Sequence, residues 1–456
     1  MNYKNTKLHS VRLRFSQRSL FYILLTVLLF RGLPSLIAQQ ARIITLRETI
    51  DLTIKNSHTL QAGRATVNEA AALVKQAEEN RLPSFGASGS YLRLSNANVD
   101  IKKSSNNSGG TTNGTAPKIS QAAYGILNAS YPIFTGGRLK YGIESARYLQ
   151  QAAVLDADND REGVILNSIN AFTNLYKAQT AIEVVKENLA SSRHRDSTFS
   201  RLETNGLLAR NDLLKAQLET TDIELSLLDA ENNRNLANAN MDIMLGLPQT
   251  TELIPDFNSI PVPGSLKNVE DYEMLALQNR KDLQSLGFRK KAALTNIKSS
   301  RAEAYPNLFL TAGYIAAYVP HVITITNALD FGIGFQYNFA SLWRTNTKLL
   351  QAKAQQQQLL ANEAQLNDVI RLQVYHDYQD YLLNQKKIDV YQNALTQATE
   401  NFRITKNKYD NSLVTTSDLL EADVALLRSR LNLAMGKADV ISAYNKLLQT
   451  TGQLTQ

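Results

Sequence analysis

Residues 417–424 read SDLLEADV, and residues 211–218 read NDLLKAQL. This echo decides the architecture. By length alone the 456 residues divide into about three domains, but an internal repeat overrides that prior. The echo extends outward. LRETIDLTIKNSHTL (46–60) aligns with LKNVEDYEMLALQNRKDL (266–283), setting Leu52, Asn56 and Leu60 against Leu275, Asn279 and Leu283. At the same spacing Pro83 and Tyr91 match Pro306 and Tyr314, and farther on Tyr131 in SYPIF matches Tyr337 in QYNF. The register slips between these blocks because the first copy holds a longer loop, NANVDIKKSSNNSGGTTNGTAPK (96–118). Its Gly, Ser, Thr and Asn mark it as surface.

The repeat divides the chain into a first unit at 39–252 and a second at 266–456, after a targeting segment at 1–38. The linker LIPDFNSIPVPGS (253–265) holds three prolines, which rule out a continuous helix across it. Each unit is expected to run helix, strand, loop, strand, very long helix, break, helix, with strand pairs near 83–135 and 306–340. Period-two patterning supports the strands. Leu308, Leu310, Ala312, Tyr314, Ala316 and Tyr318 fall on one side of the third. In 331–340, Phe331, Ile333, Phe335, Tyr337 and Phe339 oppose Gly332, Gly334, Gln336 and Asn338. In the first unit Leu127, Ala129, Tyr131 and Ile133 form the apolar face. Such strands fit a soluble β-sandwich, or a membrane barrel with an aromatic outer face and a small or polar inner one. Trp343 follows the fourth strand, where an interfacial aromatic would stand.

The helices are too long for a compact domain. Arg138 to Thr204 contains only Gly142 and Gly163 as breakers, and its length at 1.5 Å per residue spans about 100 Å. Arg344 to Asp410 is similar, and no Gly or Pro occurs from Ser341 to Met435. Patterns of this length point to a coiled coil or helical repeat. The composition favours helix, and Ala152, Ala178, Ala352 and Ala354 allow close helix contacts. Four strands cannot close a barrel, since small barrels start at about eight. A membrane version must therefore share its barrel among several chains.

Lys4, Lys7, Arg12, Arg14 and Arg18 precede the apolar run LFYILLTVLLF (20–30), and SLIA ends at Ala38, which together describe a secretory signal peptide. With Arg31 this segment holds six cations and no acid, so the formal charge of +8 falls to about +2 in the exported chain. No nucleic-acid footprint remains. The chain has no cysteine, which excludes disulfides, thiolate metal sites, a cysteine nucleophile and a lipidated N-terminal Cys. Beyond the signal no apolar run suffices for a membrane helix, so a membrane protein of this sequence must be a barrel.

No enzyme chemistry is indicated. His9, His58, His194, His321 and His376 are scattered without ligand spacing, and no GxGxxG, P-loop or GxSxG occurs. Glu78–Glu79 reads as a solvated helix face. The methionines are few and dispersed, which argues against a methionine-lined copper or silver path, though not against metal export through a passive duct.

From about Leu46 to about Gln453 the arrangement resembles the TolC-type family of outer-membrane efflux channels. The likeness rests on the duplicated order, on YPIFTGGR (131–138) where strand turns into helix, and on NGLLARNDLLKAQ (205–217) at a helical hairpin tip. It implies an α+β membrane protein: a homotrimer with a twelve-stranded outer-membrane β-barrel, four strands per chain, continued by a long periplasmic α-helical barrel. It also implies a passive exit duct in the outer membrane and its lipid, working with a periplasmic adaptor (membrane fusion) protein and an inner-membrane pump of RND, ABC or MFS type. No cofactor, metal or nucleic acid is implied. A type I protein secretion channel would share the fold. An exported coiled-coil scaffold or adhesion protein without a pore is the alternative of another class.

The resemblance places KYDNSLVTTSDLLEA (408–422) at the tube's far end, with NGLLARNDLLK as its counterpart. Asn211 and Ser417 are natural N-caps, and Asp212, Asp418 and Glu421 then lie in or near a first turn, where carboxylates suit the helix dipole. Asp418 and Glu421 are three apart and share a face. In the family this spacing makes an acidic ring at the pore's narrow end, which favours cations. The family's closed gate matches Tyr409 on one side and Asn211 and Asp212 on the other. Its basic member falls on Val414, with Arg210 the nearest substitute. Two departures stand out: YNFASLWR lacks the Pro and Gly pair of the first junction, and Ser412 replaces Gly206.

Overall fold

The computed structural model describes residues 41–98, 118–260, 266–320, 322–343 and 345–454. The targeting segment, loop residues 99–117, linker residues 261–265, His321 and Arg344 lie outside them. The elements run β1 (Ala41–Ile44), α1 (Leu46–Asn56), α2 (His58–Glu79), β2 (Ser84–Asn98), β3 (Lys118–Phe134), α3 (Arg138–Thr204), α4 (Arg210–Leu245), β4 (Glu252–Pro255), α5 (Val269–Asn279), α6 (Lys281–Ala302), β5 (Asn307–Val319), β6 (Ile323–Gln336), α7 (Thr347–Asp410) and α8 (Thr416–Thr450).

The repeat is visible residue by residue. α5 and α6 have the lengths of α1 and α2, 11 and 22 residues, displaced by one constant offset. α3 and α7 hold 67 and 64 residues. The matched asparagines play the same part, each seating the end of a long return helix. Asn56 Nδ2 donates to the Leu245 carbonyl at 2.5 Å, beside Gly246 where α4 stops, and Asn279 lies against Gly452 just beyond α8.

β2, β3, β5 and β6 form one antiparallel sheet in that order, so both its edges are open. The register puts Phe85, Ala129, Ala312 and Phe331 in one row across all four strands, and Ala87, Leu127, Tyr314 and Leu329 in another on the same face. Phe331 is 81% exposed on this apolar face. The fourth strand differs from its expected span of 331–340. It begins at Ile323 and stops at Gln336, because Asn338 accepts from Ala340 N at 3.1 Å and turns residues 339–342 into a 3-10 segment. Tyr337 and Phe339 therefore leave the strand face and pack edge-on at 5.0 Å. In β3 a bulge after Pro132 hands the apolar register to Phe134 in place of Ile133.

The two strand-to-helix junctions differ as their sequences do. Gly136 and Gly137 both take positive φ before α3, whereas Asn346 caps α7 by accepting from Leu349 N at 2.9 Å. α7 thus starts at Thr347. Trp343, between β6 and α7, is exposed.

Beyond the sheet the long helices stand side by side in the order α4, α3, α8, α7. Nearer the sheet α2 and α6 take the places that α4 and α8 leave. Ala152 is buried where α6 approaches α3, with Ser285 Oγ donating to its carbonyl at 3.2 Å; Ala352 is also buried, Ala178 half-buried and Ala354 exposed. The main apolar clusters sit midway along the long helices. Ile169, Phe172 and Leu175 of α3 meet Met241 and Leu245 of α4 and Leu253 of β4, while Ile370 and Val374 of α7 meet Tyr272, Ala276 and Leu447. The parallel pair β1–β4 joins the start of the described chain to the end of the first unit. Asp242, fully buried on α4, accepts from Asn238 Nδ2 at 2.9 Å; burial pushes its carboxyl up to about 6.

Candidate functional site at the two hairpin tips

α3–α4 and α7–α8 are helical hairpins turned by five residues each, and the two turns have the same backbone. In the first, Gly206 N donates to Glu203 O at 2.9 Å and Leu207 N to Leu202 O at 2.8 Å. In the second, Ser412 N donates to Tyr409 O at 2.8 Å and Leu413 N to Lys408 O at 2.9 Å. These paired bonds satisfy carbonyls orphaned at a helix end and require a left-handed residue. Gly206 supplies φ +75° freely, while Ser412 adopts φ +58° at a steric cost of roughly 1 kcal/mol. Leu207 and Leu413 then point away from the chain, 74% and 73% exposed.

The helices restart two residues before the expected caps. Thr415, not Ser417, caps α8: its Oγ1 accepts from Asp418 N at 3.3 Å, and Asp418 Oδ2 accepts from Thr415 N at 2.8 Å. This reciprocal box leaves Ser417 inside the first turn. Ala209, not Asn211, occupies the cap of α4, with no side-chain bond.

Asp418 is solvent-exposed yet engaged in its cap, and the Thr415 hydroxyl and amide hold its carboxyl below the usual range. Glu421, three residues on, is exposed. The position matching Glu421 in the first hairpin is Lys215, which pairs with Asp212 at 3.7 Å and donates to Ser417 Oγ at 3.4 Å. One tip therefore carries a compensated Asp–Lys pair, the other two acids.

Tyr409 lies half-buried against Phe199, ring centroids 5.5 Å apart, and its hydroxyl is 3.3 Å from Thr416 Oγ1. Burial raises its phenol. Within the chain Tyr409 and Asp212 thus hold different partners. Asn211 is exposed, and Arg210 pairs with Glu203 of its own hairpin at 3.3 Å. Val414 is half-buried. Phe199, Leu213, Ala216 and Leu419 form the apolar cluster behind these groups.

A cation does join the hairpins, from a place sequence reasoning missed. Arg195 of α3 meets Asp423 of α8 at 2.5 Å, with side chains 10% and 6% exposed. Asn188 Nδ2 adds a contact to Asp423 at 3.4 Å, and Arg195 also donates to Ser192 Oγ at 3.1 Å. Arg195 precedes Gly206 by as many residues as Asp423 follows Ser412, so the two stand level in the wall. That symmetry about the turns was the available signal. Glu219 on α4 lies in the same layer, its carboxyl raised chiefly by burial. Farther up the α3–α8 seam, Arg430 pairs with Glu187 at 2.9 Å and Lys177 with Asp439.

The remaining candidates are structural. Glu78 pairs with Arg147 across α2 and α3 at 2.6 Å, so it is not a bare solvated acid. His376 lies 3.0 Å from Asp377, whose carboxylate raises its pKa. Among the described residues no group of His, Asp and Glu could hold a metal ion, and no helix is long and apolar enough to cross a membrane.

The profile of the outer membrane efflux protein family matches residues 49–247 and 274–453. The chain is 22% identical over 431 residues to the outer membrane efflux protein BepC of Brucella suis, covering 90% of this chain and 91% of that one. Among solved structures it superposes on CusC with a TM-score of 0.74 at 19% identity, covering 89% of this chain and 92% of that one. VceC of Vibrio cholerae gives 0.73 at 20% identity, with 89% and 96% covered. These structures share its fold. With its two units matched in turn, the chain belongs to the outer membrane efflux protein family, channels of the outer membrane that extend into the periplasm.

Proposed function

We propose that this chain is the exit duct of a tripartite efflux assembly, passing substrates delivered by an inner-membrane pump of RND, ABC or MFS type through a periplasmic adaptor, without energy input of its own. One observation carries this reading. In the sheet and in the helical wall alike, the first unit supplies one edge (β2, α4) and the second unit the other (β6, α7). Such a head-to-tail contact closes into a ring when its rotation permits. Leu214, Leu218 and Leu225 of α4, and Leu350, Leu360 and Leu372 of α7, are exposed in the single chain and suit burial against the next copy. Each Leu so buried contributes roughly 1.5–3 kcal/mol.

In this reading the hairpin tips are the narrow end, with Asp418 and Glu421 of three chains as the acidic ring and Tyr409, Asn211, Asp212 and Arg210 as gate contacts. The contrast with the compensated Asp212–Lys215 pair supports giving the ring to the second hairpin. Leu207 and Leu413 give the adaptor an apolar foothold. Catalysis has no part in it.

Purified protein in a planar bilayer, with no nucleotide or ion pump present, should give stepwise currents that follow the applied voltage. Protein that stays soluble without detergent and opens no channels would overturn the reading. Leu207→Asp with Leu413→Asp should abolish capture of the cognate adaptor while leaving the currents intact.

A further inference from the structure

The inner face of the sheet, opposite the aromatic one, carries a polar level that the tip chemistry does not use. Gly86, Asn128, Gly313 and Asp330 are register partners in one unbroken row across all four strands. Large polar side chains alternate there with glycine for a steric reason. A Cβ at Gly86 would lie 2.7 Å from Asn128 Oδ1, and one at Gly313 would lie 2.4 Å from Asp330 Oδ1. Each polar side chain is thus laid flat over its neighbour's missing one, held at the wall and open to the face.

Asp330 is the one acid of the four described strands. Of the sheet's two cations, Arg93 registers with Gln121 on the aromatic side, and Lys118 stands ten residues from Asn128 along β3, about 33 Å away at the far end. The adjacent inner rows are uncharged: Ser84, Ser130, Thr311 and Gly332 on the helix side, Ser88, Ile126, Ile315 and Ala328 on the other. Sheet alternation sends the aromatic face to lipid and this face to the lumen.

Resting on the duct reading, we infer that Asp330 is a second determinant of charge selectivity, inside the β-barrel, acting on small cations independently of the hairpin tips. Twelve strands about 4.8 Å apart and tilted about 40° place the wall about 12 Å from the axis, and hence three carboxylates about 10 Å from it. In water three such charges, screened over about 30 Å at 0.01 M salt, enrich a monovalent cation at the axis about four-fold. At 0.1 M the enrichment is about two-fold, and at 1 M it vanishes.

The absence of native cysteine makes the test direct. Asp330→Cys is placed in a bilayer at about 0.01 M salt, and its cation-to-anion permeability ratio is read before and after charged methanethiosulfonates are added. The ratio should fall about sixteen-fold in the variant, because the lost potential both enriched the cation about four-fold and depleted the anion about four-fold. A sulfonate reagent should restore it, and a trimethylammonium reagent should lower it further. Asp330→Asn, nearly isosteric, should show the same loss without chemistry, and Phe331→Cys on the lipid face should not respond. Unchanged selectivity in Asp330→Asn, or a residue 330 that neither reagent reaches, would overturn the inference while leaving the duct intact. Wild-type protein without channels would overturn the duct reading and this inference with it.

Discussion

The two hairpin tips share a backbone and differ in the side chains that turn it, cap it and set its charge. The first turns on Gly206, restarts its helix from the uncapped Ala209 and offsets Asp212 with Lys215. The second turns on Ser412, restarts through the Thr415–Asp418 box and adds Glu421 where the first has lysine. Duplication accounts for the shared geometry, and divergence for the difference in charge. One hairpin is electrostatically quiet, and the other presents acid at the end of the wall. Between them the α3–α8 seam is stitched by ion pairs, whereas α7 and α8 are joined by Tyr381–Tyr444, by Tyr391 packed on Gly436 and by the buried bond from Thr450 Oγ1 to Asp377 Oδ2.

The largest effect should come from cutting the link between the hairpins. Arg195→Met strands Asp423 in a buried site and should cost about 3–5 kcal/mol, seen as a lower unfolding midpoint by circular dichroism. Arg195→Met with Asp423→Leu should recover most of that loss.

Next is the other end of the return helices, where Asp242 of the first unit stands four residues before its closing glycine and Leu448 four before that of the second. A carboxyl raised to about 6 favours its neutral form in the fold, so the charged form penalises the native state above that pH. Asp242→Asn should therefore stabilise by up to about 3 kcal/mol at pH 7. The gain should shrink as pH falls below 6 and be gone near pH 4, which paired melts at the two pH values will check.

Capping gives a smaller, reciprocal pair. Thr415→Ala should lose about 1 kcal/mol and Ala209→Asp gain about as much, read from the same melts. Smallest are the turn residues. Gly206→Ala should cost about 1 kcal/mol, while Ser412→Gly should stay within about 0.5 kcal/mol of wild type, since relief of the left-handed strain is offset by backbone entropy.

The repeat, the 67-residue helix and three of the four strands were legible because each rests on periodicity or an unbroken run of helix formers. The fourth strand was misplaced because ITITNALD (323–330) alternates polar and apolar residues with no aromatic until Phe331, and Asn338 ends the strand with a local bond that hydropathy does not record. The caps were misread by two residues because Ser417 and Thr415 are equally good candidates one at a time. Only the pairing of Thr415 with Asp418 separates them. Arg195 and Asp423 were missed since a buried ion pair between helices far apart in sequence leaves no local pattern. Their equal distance from the two turns becomes informative only once both turns are known.

If divergence gave the two tips different roles, the second and not the first is the charged narrow end of a conducting duct. Bilayer recordings of wild type, of Asp418→Asn with Glu421→Gln, and of Asp212→Asn decide the matter. Cation-selective channels that lose much of their selectivity in the double variant and keep it in Asp212→Asn are the expected result. Equal selectivity in all three would return Asp418 and Glu421 to the ordinary business of starting a helix.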